Sequence, residues 1–140
     1  MKRSRLAAAA APIIAAVALM TATPASAETY YGYSGGNAYA RGGLRVSSQY
    51  LGDGIYHLNI INAVVTDEVK NDGRIPFLKA VYKDYSAGNP TEEKNLGWGD
   101  DDGESAYLND TSFGVKSVTF KVCAYRSTTG TTTCTNLSRG

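Results

Sequence analysis

The sequence predicts an all-β protein: one small β-sandwich or barrel of five to seven antiparallel strands, closed by a single disulfide. Three observations predict it. Short apolar runs alternate at a period of two, most plainly in SVTFKVCAY, residues 117–125. Glycine, aspartate and asparagine punctuate those runs. No stretch after residue 27 keeps a helical period for ten residues.

The elements follow in chain order. Lys2, Arg3 and Arg5 precede an apolar run from Leu6 to Met20, and Ala25-Ser26-Ala27 forms an A-x-A cleavage site. Residues 1–27 thus read as a secretory signal peptide, cut after Ala27. The run is short for about 30 Å of hydrocarbon, and Pro12 interrupts it, so a membrane anchor is not expected. Cleavage leaves 113 residues, enough for one domain, with eleven basic residues against thirteen acidic ones. No basic block remains, which argues against a nucleic-acid partner. The processed chain is expected outside the cell, with no membrane association.

Residues 28–43, ETYYGYSGGNAYARGG, carry tyrosine and glycine without an apolar period and are expected as a flexible arm. Its Tyr30, Tyr31, Tyr33 and Tyr39 are candidates for packing on the domain or on a partner. The ordered domain, residues 44–140, is expected to begin at Leu44. LRVSSQY and IYHLNIINAVV are separated by Gly52-Asp53-Gly54 and form an expected hairpin. In the second run Tyr56, Leu58, Ile60 and Val64 are placed on one face, His57, Asn59, Ile61 and Ala63 on the other. Asp72-Gly73 marks the next turn, and Pro76 opens the strand FLKAVYKDY. SAGNPTEEKN reads as loop, SAYL as a short strand and NDTSFG as a turn. The final hairpin pairs VKSVTFKVCAY with TCTNL, and Cys123 and Cys134 are expected to bridge it, as paired cysteines in an exported chain usually do.

The chemistry-bearing residues are sparse. His57 is the one histidine, and no Ser or Cys motif supplies it with a nucleophile, so no catalytic residues are assigned. WGDDDGE, residues 98–104, is the densest acidic stretch. Asp100, Asp102 and Glu104 alternate and could converge on calcium, but the spacing departs from the EF-hand pattern and a solvated turn is expected, with no metal and no cofactor. Trp98, Tyr85, Tyr30, Tyr31 and Tyr33 are the candidate ligand contacts, since aromatic faces pack well on the apolar faces of sugars.

From residue 61 onward the order NAVVTDEVKNDGR, KAVY, NLGWGDDDGESAY and VTFKVCAYRSTTGTTTC resembles small secreted β-rich proteins of actinobacteria that have no assigned activity. The resemblance implies a single β domain, an extracellular compartment and a terminal Cys hairpin. The resemblance carries no activity; the disulfide-closed hairpin, the tyrosines and the lack of a catalytic constellation set the expectation of a secreted, non-enzymatic binding or interaction module, with an extracellular protein or a cell-wall glycan as its partner. The alternative is a small secreted inhibitor of an extracellular protease, presenting the turn RSTTGTT with Arg126 as its basic anchor.

Overall fold

The computed structural model describes residues 26–34 and 39–140. Most of the expected leader lies outside the described residues. Ten strands follow in order: β1 Ser26–Tyr33, β2 Ala40–Gly52, β3 Ile55–Asp67, β4 Arg74–Lys83, β5 Thr91–Trp98, β6 Ser105–Tyr107, β7 Thr111–Val115, β8 Ser117–Arg126, β9 Thr131–Asn136 and β10 Ser138–Arg139. They form two antiparallel sheets. Sheet A has the order β10-β1-β2-β3-β6, with β7 also paired to β3; sheet B has the order β5-β4-β8-β9. The expected all-β sandwich holds, with more strands than the five to seven read from the sequence.

Strand β2 shows why these residues make a half-buried sheet. Ala40, Gly42, Leu44 and Val46 are buried between the sheets, while Arg41 and Arg45 alternate with them and face water. The Asp53-Gly54 turn joins β2 to β3, with φ of 55° and 74° and Gly52 opposite Ile55. Two consecutive positive φ values mark the turn whose twist suits a two-residue hairpin.

Strand β3 departs from simple alternation. Gly43 lies opposite Val64 but Arg45 lies opposite Ile61, so Leu44 faces two residues, Asn62 and Ala63. This is a β-bulge, and Asn62 takes a φ of 50° there, a conformation asparagine tolerates better than most residues. The bulge exchanges the faces. Leu58 and Ile60 point inward before it; Ala63, Val65 and Asp67 point inward after it. Val64, expected beside Ile60, turns to the outer face instead.

The core joins Leu44, Val46, Leu58, Ile60 and Val65 of sheet A to Leu78, Phe120 and Val122 of sheet B. The sheets approach most tightly at Gly42. A Cβ there would lie 2.5 Å from Leu78 Cδ2 and 2.9 Å from Val122 Cβ. Pro76 occupies the end of β4 where β5 pairing stops, and its carbonyl accepts the Gly99 amide at 2.8 Å, so its missing N–H costs no ladder bond.

The flexible arm expected over residues 28–43 is corrected for its described residues; residues 35–38 lie outside them. Residues 28–33 belong to β1, which pairs with β2 on one side and β10 on the other, and residues 40–43 begin β2. Two inward contacts hold β1 down. Tyr30 meets Phe120 edge-on at 5.0 Å, and Gly32 lets Leu137 approach. Two further segments read as loop and turn are edge strands, β5 and β7. The disulfide forms as expected. Cys123 and Cys134 are directly opposed on β8 and β9, with Cα atoms 4.1 Å apart.

Candidate functional site

The outer face of sheet A carries a groove of about 320 Å³, and the strand register explains it. Across β1, β2, β3 and β6 the residues Tyr31, Gly43, Val64 and Tyr107 lie in one row. The next row holds Tyr33, Arg41, Thr66 and Ser105. Gly43 has no side chain, so the floor beside Tyr31 is bare, and Val64 lies between Gly43 and Tyr107. The walls are wet: Tyr31 is 55 % exposed, Tyr33 42 % and Tyr107 85 %. Three strand spacings separate the two walls of the first row, about 14 Å.

Polar groups line the second row. The Thr66 and Ser105 hydroxyls are hydrogen-bonded at 2.7 Å, and Arg41 Nε sits 3.2 Å from Glu68 Oε1. The groove thus offers aromatic faces, hydroxyls and one guanidinium along an open surface. That set suits a flat, polyhydroxylated ligand with apolar ring faces.

The sequence-derived ligand contacts separate into three places. Tyr31 and Tyr33 line the groove. Tyr30 points the other way, between the sheets, because its neighbours alternate across β1. Trp98 lies on the outer face of sheet B, where it stacks on Phe77 at 4.1 Å and meets Tyr125 edge-on at 6.3 Å. Tyr85 is exposed in the β4–β5 connection, near Gly114. Tyr107, Gly43 and Thr66 are groove residues that the sequence reading did not assign. The alternation of SAY against VVT was the available signal, hidden by the Asn62 bulge that sets Val64 and Thr66 outward.

The acids separate likewise. Asp100 and Glu104 are exposed, and Asp102 Oδ1 accepts the Glu104 amide at 2.9 Å in a local turn. The skipped residue, Asp101, turns inward and meets Asp67 and Asp72, with one oxygen of each within 4.8 Å of the others. Their oxygens serve the backbone. Asp67 accepts from the amides of Gly103 at 2.9 Å and Val69 at 3.3 Å. Asp101 accepts from Gly73 at 2.8 Å and Asp72 at 3.1 Å. Asp72 accepts from the Arg74 amide at 2.9 Å and pairs with its guanidinium at 3.1 Å. The cluster fastens the β3–β4 connection to the β5–β6 connection, which places β6 and Tyr107 beside β3.

Asp67 is 2 % exposed, and its burial raises its carboxyl above the usual range. The Gly103 and Val69 amides oppose that rise, and the charges of Asp101 and Asp72 add to it. A carboxyl raised in the folded state takes up its proton before the unfolded chain does. Its contribution is fully present below the unfolded value, about 3.9, and is lost as pH rises through the folded value. Melting curves of the protein and of Asp67→Asn between about pH 7 and pH 4 check this. The difference in Tm, protein minus variant, is expected to grow in favour of the protein on acidification. A constant difference would overturn it.

Comparison of the chain with protein-family models, with curated proteins and with solved structures finds no match in any of the three.

Proposed function

We propose that the protein is a secreted, non-enzymatic binding domain that holds an extended glycan of cell-wall type in the groove on the outer face of sheet A. The bare floor at Gly43, beside the exposed ring of Tyr31 and with Val64 between it and the exposed ring of Tyr107, carries the reading. A pyranose presents an apolar face to an aromatic ring, and its equatorial hydroxyls reach polar groups at the sides. Thr66, Ser105 and Arg41 supply those groups. An open groove also suits a polymer that enters and leaves by its sides. The leader in residues 1–27 supports export, and the Cys123–Cys134 disulfide suits an oxidising compartment.

The test is retention of the purified protein on insoluble peptidoglycan, chitin and cellulose. Tyr107→Ala is expected to weaken binding about tenfold, in line with the loss of one stacking contact. Gly43→Val is expected to block the groove while leaving the fold intact. A Cβ at Gly43 would meet only Val64 Cγ1 at 3.7 Å and the Tyr30 carbonyl at 3.9 Å, both ordinary contacts. Retention on none of these polymers would sink the proposal, as would equal retention of the protein and Gly43→Val.

A further inference from the structure

Sheet B ends at β9, and the register shows which backbone groups that edge leaves open. The Leu137 amide donates to the Phe120 carbonyl at 2.8 Å. Bonded and non-bonded pairs alternate along an antiparallel ladder. The bonded pairs of β8 with β9 are therefore Val122 with Thr135, Ala124 with Thr133 and Arg126 with Thr131. Cys123 and Cys134 fall in the other set, and their Cα separation of 4.1 Å is of the close, non-bonded kind. Thr132 and Cys134 thus turn their N–H and C=O groups away from β8, where no described residue receives them. Asn136 shares that direction but lies against β1, its carbonyl 3.5 Å from where a Cβ on Gly32 would stand.

The other sheet edges are protected. Strand β5 carries Glu92, Glu93 and Lys94 and an irregular register beside Leu78. Strands β6, β7 and β10 have three, five and two residues. Strand β9, TTTCTN, has six residues, with no charge, no proline and no bulge against β8. Its threonines favour extended backbone, and the disulfide holds it against β8, so little order remains to be gained on pairing.

We infer that β9 pairs antiparallel with β9 of a second copy of this chain, joining the two B sheets edge to edge. The register centred on Thr133 uses both outward residues. Thr132 exchanges two backbone bonds with Cys134 of the partner subunit, and the dyad repeats the exchange. Thr131 then lies opposite Thr135 of the partner subunit, and Thr133 opposite its own copy, a favourable cross-strand pair. No like charges meet. Lys121 and Arg126 stand on β8, and the two β8 backbones lie three strand spacings apart, about 14 Å, beyond the screening length at physiological salt. The charged β5 is a poor partner for β9, so the contact closes as a dimer and does not propagate. The dyad of an antiparallel pair stands perpendicular to the sheet, so sheet A faces the same way in both copies. If the groove holds a glycan as proposed, the dimer presents two grooves to one polymer surface. The association itself needs no glycan.

Sedimentation equilibrium of the purified protein without ligand tests it. A monomer–dimer equilibrium is expected, half-associated below about 1 mM, as suits a small interface. Thr132→Pro removes an outward donor and breaks no bond to β8, so it is expected to abolish the dimer and leave the far-ultraviolet dichroism unchanged. Thr133→Lys sets like charges at the dyad and is expected to weaken association at least about tenfold, which keeps the test sound if the proline variant fails to fold. Gly43→Val should dimerise normally, which separates this edge from the groove. A protein that stays monomeric to about 1 mM overturns the inference, as does undiminished association in both β9 variants.

Discussion

Gly42→Val is expected to lower the free energy of unfolding by about 3 kcal/mol, the upper end of what overpacking a core costs. The side chain would enter the gap between the sheets, where Leu78 Cδ2 stands 2.5 Å and Val122 Cβ 2.9 Å from the position of the new Cβ. Both neighbours are fully buried, so neither can swing into solvent. Relief requires the sheets to separate, which would expose part of the layer formed by Leu44, Ile60 and Phe120. Urea unfolding of Gly42→Val beside Gly43→Val checks it. The two glycines adjoin but point to opposite faces of β2, so the first variant should lose its midpoint and the second keep it. Equal midpoints would show that the sheets do not pack at Gly42.

Removing the disulfide is the second large effect. Cys123→Ala with Cys134→Ala is expected to cost about 3 kcal/mol, because the eleven-residue separation sets the loop entropy returned to the unfolded chain. For a domain of this size that corresponds to about 15 °C in Tm. The bond crosses β8 and β9 within one row of the outer face of sheet B, Trp98, Phe77, Cys123 and Cys134. Phe77 and Cys123 are buried, so the double variant also leaves space beneath the Trp98–Phe77 stack. The near-ultraviolet dichroism of Trp98 should weaken in the folded variant. An unchanged Tm would show that the bridge adds nothing to the pairing of β8 with β9.

The central strands were legible because their residues alternate and one face is buried. That holds for β2, β4 and β8, and for the cysteine pair that closes β8 on β9. The bulge was not legible. IINAVV reads as a continuous apolar run, and only the backbone of Asn62 reveals that the inward face changes there. The consequence reached the site, since Val64 and Thr66 owe their outward direction to that one residue. Strand β1 was hidden for another reason. Its inward residues are Glu28, Tyr30 and Gly32, none of them an aliphatic core residue, and its order comes from strands β2 and β10 rather than from its own pattern. Strand β5 was hidden by its charges, which an edge strand carries without cost because only Leu96 is buried. Among the acids, the alternation that suggested Asp100, Asp102 and Glu104 assumed an extended loop. The chain instead turns at Gly103, with φ of 75°, and it is Asp101 that meets Asp67 and Asp72.

The pairing of β1 with β10 has a kinetic consequence. Tyr30 and Arg139 are opposed in the sheet yet more than a hundred residues apart along the chain. Such a contact cannot nucleate folding, because closing so long a loop precedes any gain from it. The local hairpins β1–β2, β2–β3 and β8–β9 should therefore assemble first and the β1–β10 pairing should close last, giving a refolding time of roughly milliseconds to seconds.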